Sequence, residues 1–559
     1  MKVKDFPYKR YTIEEGIKDF ACFKEAAKNA KNAGDMIAAR GIWLDCFNNY
    51  QTAQSLSYCR FTLDTADEFY NGEIEYYDSE GPEFEKLYSE YADIMLSSPY
   101  RAELEKRLGS QLFRKLECRK KAFAPGIAEL CKQENTTVTE YAQLMASMEF
   151  EFRGEKMPLS RLRGNLENAD RNTRREAAEA IGRGLAEHKA QLDDIYDRLV
   201  HIRDREAKAM GYRDFVELGY YRMGRTDYTP GMIDAFRGNV KRDLVPAVAE
   251  LKAKTAAELG IDGVMYYDDA IYFTGDMPTP PADKDEIFRI AQGMYDDMHP
   301  EIGAFMRSMQ ENGAFDVEAR QNKWGGGYCI AFNNFRQPFI LANFNGSSDD
   351  IDVITHEFGH ALAGSYVFRN GDPELDVGGM ETAECHSMSM EFLAWKYIDR
   401  FFGANADKYK KKHLLSSLSF IPYGVIVDEF QHIVYRNPDM TPAERDKAYL
   451  ELEKKYRPYI SFEGIPYLED GTRWQYQMHI YESPFYYIDY CLAQTVALGF
   501  LVKSKRDYAD ALEKYLGFVR KGGTEDFISL VKAADIPSPF DEGALKGIAG
   551  LIDDPDAGN

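Results

Sequence analysis

The segment Ile351–Ser365 constrains this chain more than any other, because it carries the sequence H-E-F-G-H at positions 356–360. On a helix His356 and His360 lie one turn apart on the same face, so both imidazoles can reach one metal ion. Glu357 lies about 100° further round the helix, close enough to contact a water on that metal without being its ligand. Acidic residues just before the segment and an apolar stripe within it favour a helix here.

A zinc ion held by H-E-x-x-H needs a third protein ligand, which leaves a fourth position for water or substrate. One usual source is a histidine shortly downstream, but the position six residues after His360 is Tyr366. The other source is a glutamate on a following helix, and Met380–Trp395 is predicted to be such a helix after a glycine-containing loop. We therefore expect Glu384 to be the third ligand. Glu381, one turn earlier, is expected to accept a hydrogen bond from the N–H of a ligating histidine.

Spacing alone leaves other interpretations of these residues open. With 9 histidines in 559 residues, random placement gives H-E-x-x-H in about one chain in a hundred. Glutamates on a helix are usually solvated, although the apolar methionines around Glu384 favour its burial. His386 projects away from Glu384 by roughly 200° on a regular helix, so it is not expected to share the metal.

Composition limits the class of partner and the compartment. The formal net charge of −23 argues against binding to nucleic acid or to anionic membrane surfaces, although its simplest meaning is solubility. Eight scattered cysteines without a C-x-x-C pair are typical of free thiols in a reducing compartment. The first residues lack the apolar run of a secretory signal, and no apolar run is long enough to span a bilayer. We therefore expect a cytoplasmic protein.

The chain divides into two regions by pattern. Residues 1–190 read as a helical lobe with almost no strand signal, and residues 191–559 as a zincin-like catalytic domain with further helices after the motif. Cys329–Phe332 and Pro338–Phe344 are β-prone runs that predict a small strand pair directly before the motif helix. Its free edge would suit an extended peptide added as an extra strand, and Pro338 would suit an edge position. An ordinary hairpin packed on helices is the alternative.

The motifs together resemble a known family. H-E-F-G-H-A, followed by E-T-A-E-C-H-S-M-S-M-E-F, resembles the oligoendopeptidase F branch of the thimet-oligopeptidase-like zinc metallopeptidases. The segments G-G-G-Y-C, P-F-I-L-A-N-F and H-I-Y-E-S-P-F-Y-Y-I-D-Y are also similar to that branch. The resemblance covers about residues 190–545, with a looser likeness near the N-terminal end. It implies a mainly α-helical, elongated ellipsoid split by a deep channel, in which short unfolded peptides reach one zinc ion.

The resemblance also assigns roles to the segment after residue 478. Family members stabilise the reacting carbonyl with a histidine and one or more tyrosines from this stretch, which correspond here to His479, Tyr487 and Tyr490. Tyr486 and Tyr481 are weaker candidates. The segment is one residue shorter than the thimet oligopeptidase pattern, so that a family tyrosine falls at Ser483. Which tyrosine is the main hydrogen-bond donor therefore stays open.

These observations lead to one functional hypothesis with two rivals. The hypothesis is a zinc metalloendopeptidase that cuts internal bonds of short oligopeptides, with Glu357 as general base. A helical zinc carboxypeptidase with the same His-His-Glu ligands is the first rival. A helical scaffold or peptide-binding protein with a vestigial zinc site is the second, against which the intact Glu357 argues.

Overall fold

The computed structural model describes residues 1–275, 277–281 and 283–552, and it confirms a mainly α-helical fold with small sheets. Proximity of Cα atoms groups the chain into two compact units, each built from three segments. Residue 190 is not a boundary of either unit, and a separate N-terminal lobe of residues 1–190 stays a prediction. Within the described part of the chain, no helix is long and apolar enough to cross a membrane.

The first unit contains residues 1–121, 278–406 and 507–536. Its core is helical, and a three-stranded sheet lies among the helices. The helices of this unit are Ile13–Asn29, Ala33–Leu63, Glu68–Leu96, Arg101–Leu108, Ser110–Ala122, Lys284–Met298, Pro300–Glu311, Asp349–Asn370, Met380–Leu393, Asp399–Phe402, Tyr508–Lys521 and Phe527–Ala533. We call Asp349–Asn370 the motif helix and Met380–Leu393 the ligand helix.

The second unit contains residues 122–277, 407–506 and 537–559. Two short strand pairs join its helices: Phe150–Phe152 with Glu155–Met157, and Val264–Met265 with Ile460–Ser461. The helices of this unit are Ala128–Ser147, Leu159–Arg163, Arg171–Glu187, Lys189–Ala209, Phe215–Arg222, Pro230–Asn239, Val245–Leu259, Ala406–Arg436, Pro442–Tyr456, Met478–Glu482, Tyr487–Arg506 and Lys546–Ala549.

Local chemistry sets both ends of the motif helix. The carboxylate of Asp350 accepts hydrogen bonds from the backbone N–H groups of Asn345 and Gly346, at 3.0 and 2.8 Å, which fixes the chain entering the helix. The helix ends at Gly371, which takes a left-handed conformation with φ of 81° that glycine adopts without steric cost. The predicted helix Ile351–Ser365 thus lies wholly inside the observed one.

The small sheet predicted beside the motif helix is present, with one strand more than expected. Tyr328–Phe332 and Gln337–Phe344 pair antiparallel, and Phe315–Glu318 pairs parallel on the other side of Gln337–Phe344. Both strands of the antiparallel pair pack against the motif helix. Pro338 lies on the central strand of this sheet, but at a position outside the parallel ladder, where its strand is paired on one side alone. Proline is tolerated there since the parallel partner begins only at Ile340.

The N-terminal helices of the first unit meet the loop between the motif and ligand helices through one buried carboxylate. Glu374 accepts hydrogen bonds from Trp43 Nε1 at 3.0 Å and from the Tyr91 hydroxyl at 2.7 Å. Arg40 pairs with the same carboxylate and also bonds Asp372 at 2.8 Å. The Arg40 and Glu374 side chains are 4% and 0% exposed, so the pair is desolvated and depends on these partners.

We expect Arg40→Met to destabilise the first unit by about 3–5 kcal/mol, because it leaves Glu374 buried with an unpaired charge. Urea denaturation followed by tryptophan fluorescence measures this, since Trp43 contacts the same carboxylate. Lys24→Met is the matched control, because Lys24 and its partner Glu90 are both about half exposed and their pair is worth at most about 1 kcal/mol. Equal losses in the two variants would contradict the anchoring role.

Candidate metal centre

The structure brings three predicted ligand side chains together in the first unit. The ligand atoms of His356, His360 and Glu384 all lie within 4.8 Å of one another. The Nε2 atoms of the two histidines lie 3.4 and 3.7 Å from one carboxylate oxygen of Glu384. Two ligands bound tetrahedrally to zinc at about 2.0–2.1 Å lie about 3.4 Å apart, so this donor set fits that ion in both chemistry and spacing.

Hydrogen bonds and burial prepare these groups as ligands. The Nδ1 atom of His356 lies 2.6 Å from Glu391, so a proton sits on that side, and a bound metal ion would take the place of the proton on Nε2. Burial opposes a charged imidazole, but the hydrogen bonds to Glu384 and Glu391 raise the pKa of His356 well above its usual value. Burial and the neighbouring His356 lower the pKa of His360 to about 4, so this imidazole is neutral.

Glu384 and Glu357 have opposite pKa shifts although both are buried. Burial favours the neutral acid, yet the hydrogen bond from His356 and the positive charge of that imidazole lower the pKa of Glu384. The hydroxyl of Ser387 also donates to its carboxylate at 3.3 Å. Burial raises the pKa of Glu357 to about 7, to which the charges of the neighbouring acids contribute. Glu384 therefore stays ionised, whereas Glu357 can gain and lose a proton near neutral pH.

The two site helices touch backbone to backbone at Gly359. A Cβ atom at this position would lie 2.6 Å from the carbonyl oxygen of His386 and 2.7 Å from the Cα of Ser387. Only glycine permits that approach, and the approach carries Glu384 to the histidines of the motif helix. The Tyr515 hydroxyl donates to the same His386 carbonyl at 2.8 Å, which restrains the ligand helix at this contact.

Sequence reasoning did not identify Glu391, the carboxylate beside Nδ1 of His356. The Glu381 carboxylate accepts from the hydroxyl of Thr382 at 3.2 Å, and a contact between Glu381 and a ligating histidine stays a prediction. The apolar and acidic stripe of the helix includes both acids, so spacing did not separate them. His386 is fully buried against Phe518, in agreement with the expectation that it does not share the metal.

The predicted residues after position 478 form a separate aromatic cluster in the second unit. The ring of His479 lies 5.0 Å from that of Tyr487 and 6.0 Å from that of Tyr490, both edge-on. Tyr486 belongs to the cluster as well, 4.8 Å from Tyr490. Tyr481 does not, because its ring is fully buried and stacks on Tyr141 in the helical core.

A strained residue sets the turn between the helices that carry His479 and the two tyrosines. Phe485 has φ of 67°, a left-handed conformation that is uncommon for a residue with a side chain. Its N–H donates to Gln431 Oε1 at 2.7 Å, and its carbonyl accepts from the guanidinium of Arg225. Gly219 leaves room for the ring, since a Cβ there would lie 2.5 Å from it. Such strain persists where neighbours hold it, often at functional sites.

Comparison with known proteins places these features in context. A model of the peptidase M3 N-terminal domain matches residues 3–123, and one of peptidase family M3 matches residues 297–550. A solved structure of PZ peptidase A with an inhibitor is 39% identical, with a TM-score of 0.92 over 100% of both chains. A structure from Bacillus anthracis, provisionally named an oligoendopeptidase F, is 38% identical, with a TM-score of 0.87 over 99% of this chain and 97% of that one.

A curated relative is more distant. Oligopeptidase PepF of Bacillus subtilis is 22% identical over 247 residues, which are 43% of this chain and 36% of the relative. The matched stretch therefore spans about a third of the length of that relative.

We expect Glu391→Gln to weaken divalent metal binding by about 10–100-fold, because it removes the charged acceptor that orients His356. Competition with a chelator of known affinity measures this on the purified protein. Glu311→Gln, at an exposed position of the same unit, is the matched control, and it should leave the affinity close to that of the unaltered chain. An equal loss in both variants would contradict the assignment of Glu391.

Proposed function

Since the chain belongs to peptidase family M3, we propose that it is a zinc metalloendopeptidase that hydrolyses internal bonds of short unfolded peptides. The observation that carries the proposal is the convergence of two imidazoles and one carboxylate, with the raised-pKa carboxyl of Glu357 beside them. His356, His360 and Glu384 would hold the ion. Bound zinc would lower the pKa of a water toward about 7 and polarise the peptide carbonyl.

Glu357 is the proton carrier of the proposed reaction. Its carboxylate takes a proton from the attacking water and delivers it to the nitrogen of the leaving amine. A pKa of about 7 suits both transfers at neutral pH, since the group is ionised for the first and protonated for the second. Burial of the side chain, which is 9% exposed, keeps bulk water from exchanging that proton.

His479, Tyr487 and Tyr490 are the proposed hydrogen-bond donors to the carbonyl oxygen as it gains negative charge. This assignment rests on the resemblance of the segment to the family, and the clustering of the three rings in the second unit is in keeping with it. Removing one such donor typically costs about 2.7–4 kcal/mol in the barrier. Burial raises the pKa of Tyr487 well above its usual value, so its hydroxyl keeps the proton that it donates.

The proposal extends to substrates and compartment. Oligopeptides are the proposed substrates, and the net charge of −23 gives no support to nucleic acid as a partner. A cytoplasmic location is proposed from cysteine usage, because all eight cysteines are free thiols, five of them fully buried.

We expect Glu357→Gln to bind zinc like the unaltered protein and to lose nearly all turnover, because the amide cannot accept the proton. Zinc content by emission spectroscopy and hydrolysis of a quenched fluorescent peptide measure the two properties separately. Glu384→Ala is the paired variant, which should lose the metal and the activity together. A Glu357→Gln protein with normal turnover would refute the base assignment.

Peptides blocked at both ends separate the proposal from its nearest alternative. An endopeptidase cuts them internally, whereas a carboxypeptidase with the same ligands needs a free terminal carboxylate. We expect mass spectrometry to find internal fragments of a doubly capped peptide. Cleavage restricted to free C-termini would establish the carboxypeptidase instead, and no cleavage by zinc-loaded protein would favour a binding protein.

A further inference from the structure

His479 has a hydrogen-bonding neighbour to which the proposed function gives no role. The side-chain amide of Gln477 lies 2.9 Å from Nδ1 of His479. The hydroxyl of Tyr423 lies 2.6 Å from the other end of the same amide, at its oxygen. Tyr423, Gln477 and His479 of the second unit therefore form a line of two hydrogen bonds. It ends at the imidazole of His479, whose Nε2 atom makes no hydrogen bond in the described part of the chain.

The direction of the two hydrogen bonds, from donor to acceptor, follows from which groups can donate and which can accept. The phenolic O–H donates to the amide oxygen of Gln477, which leaves the NH₂ group to face His479. An amide NH₂ only donates, so Nδ1 must accept and carries no proton. A neutral imidazole has one proton, which must then sit on Nε2. Burial lowers the pKa of His479 below its usual value, so the ring is neutral at pH 7.

The opposite polarity would require the amide to be turned over, with the oxygen of Tyr423 as acceptor and Nδ1 of His479 as donor. Two cations oppose it. The guanidinium of Arg473 lies 3.9 Å from the centre of the Tyr423 ring, and that of Arg457 lies 5.1 Å away. Positive charge against the ring withdraws electron density from the phenolic oxygen, which makes it a better donor and a poorer acceptor.

We propose that Gln477 is a positioning residue that holds His479 in the tautomer with its proton on Nε2. This rests on the proposed function, in which His479 donates a hydrogen bond to the reacting carbonyl oxygen. A donor is needed at the open nitrogen, and the other tautomer would present a lone pair there, which repels a developing negative charge. Tyr423 sets the direction of the amide, and Arg473 favours the donor state of Tyr423.

The same neighbours also fix the position of the ring. The Tyr423 ring meets the Tyr487 ring edge-on at 5.7 Å, and Tyr487 in turn meets His479 edge-on at 5.0 Å. Gln477 and the aromatic contact thus restrain the imidazole from two sides. Gly424 allows this packing, because a Cβ at that position would lie 2.1 Å from Cys491 and 3.4 Å from the ring of Tyr487.

The tautomer can be read directly from the full-length protein. In protein labelled with ¹⁵N-histidine, protonated and unprotonated ring nitrogens differ in ¹⁵N chemical shift, and the spectrum of His479→Gln identifies the signals of residue 479. We expect a protonated Nε2 and an unprotonated Nδ1 at neutral pH. A protonated Nδ1 would overturn the proposal even if the protein cleaves peptides. The measurement needs no activity, so a failure of the proposed function leaves it interpretable.

Gln477→Glu should reverse the tautomer, because a carboxylate can only accept and places the proton on Nδ1. At alkaline pH, where the imidazole is neutral, we expect kcat to fall by about 100-fold with KM little changed and zinc content unaltered. Gln477→Met removes the hydrogen bond without forcing the reverse, so its loss should be much smaller. Equal losses in the two variants would indicate a merely structural role and overturn the proposal.

A double-mutant cycle tests whether the effect passes through His479. In a His479→Gln background, Gln477→Glu should cause little further loss of kcat, because the group that it controls is absent. A full further loss would mean that the new charge acts on the reaction directly, and the proposal would fail. Gln143→Glu, which adds a charge at an exposed position of the same unit, should leave kcat unchanged.

A second pair of variants tests the role of Tyr423. Tyr423→Phe removes the hydroxyl that orients the amide, so we expect a mixture of the two His479 tautomers in the ¹⁵N spectrum and a lower kcat. Tyr449→Phe is the matched control, because the buried Tyr449 hydroxyl has no partner in the described part of the chain. A single Nε2-protonated form in Tyr423→Phe would remove Tyr423 from the proposal.

Discussion

Glu384 reaches the two imidazoles because the motif helix and the ligand helix touch backbone to backbone at Gly359. A methyl group in that contact would separate the helices by more than the tolerance of a coordination sphere, in which ligand distances are fixed to about 0.2 Å. The acids of the site add a second demand. Glu384 and Glu357 are buried beside two histidines, and the side chain of Glu391 is only 12% exposed. Burial of negative charge is costly unless positive charge compensates it. The packing of the motif helix on the ligand helix therefore sets both the distances between the candidate ligands and the burial of their charges.

The contact at Gly359 needs support from parts of the chain that are remote in sequence. Arg40, on an N-terminal helix, pairs with Glu374 in the loop that leads to the ligand helix, across 334 residues. Gly523, near the C-terminal end, closes on the same loop: its N–H donates to the Asp376 carbonyl at 3.0 Å, and a Cβ there would overlap the Leu375 carbonyl. The family match at residues 3–123 thus covers helices that hold the ligand helix in place.

How much of this structure is readable from sequence depends on the range of the interaction. The pairing of His356 with His360 follows from helical periodicity, and Glu384 follows from the spacing of a second helix. The contact of Glu391 with Nδ1 of His356 depends on the orientation of that ring, which periodicity leaves open. The strand Phe315–Glu318 gave no pattern of its own because it is short and only half buried.

Contacts between residues that are far apart in the sequence were still harder to predict from sequence patterns. The bond from Arg40 to Glu374 has no local signature, since each residue alone resembles an ordinary surface charge on a helix or loop. The line from Tyr423 through Gln477 to His479 joins helices separated by more than fifty residues, and only Gln477 lies near the recognised motif. The resemblance to a family supplied His479, Tyr487 and Tyr490, whereas the groups that orient them emerged only from coordinates.

The composition of the first unit from three separate segments has a consequence for biosynthesis. The ribosome makes residues 1–121 and then the long stretch 122–277 before the segment 278–406, which carries the motif helix. Even then the ligand helix lacks its hydrogen bond from Tyr515, and the loop before it lacks its contact with Gly523, until residues 507–536 emerge. Nascent chains therefore do not complete the candidate metal centre before residues 507–536 have been synthesised.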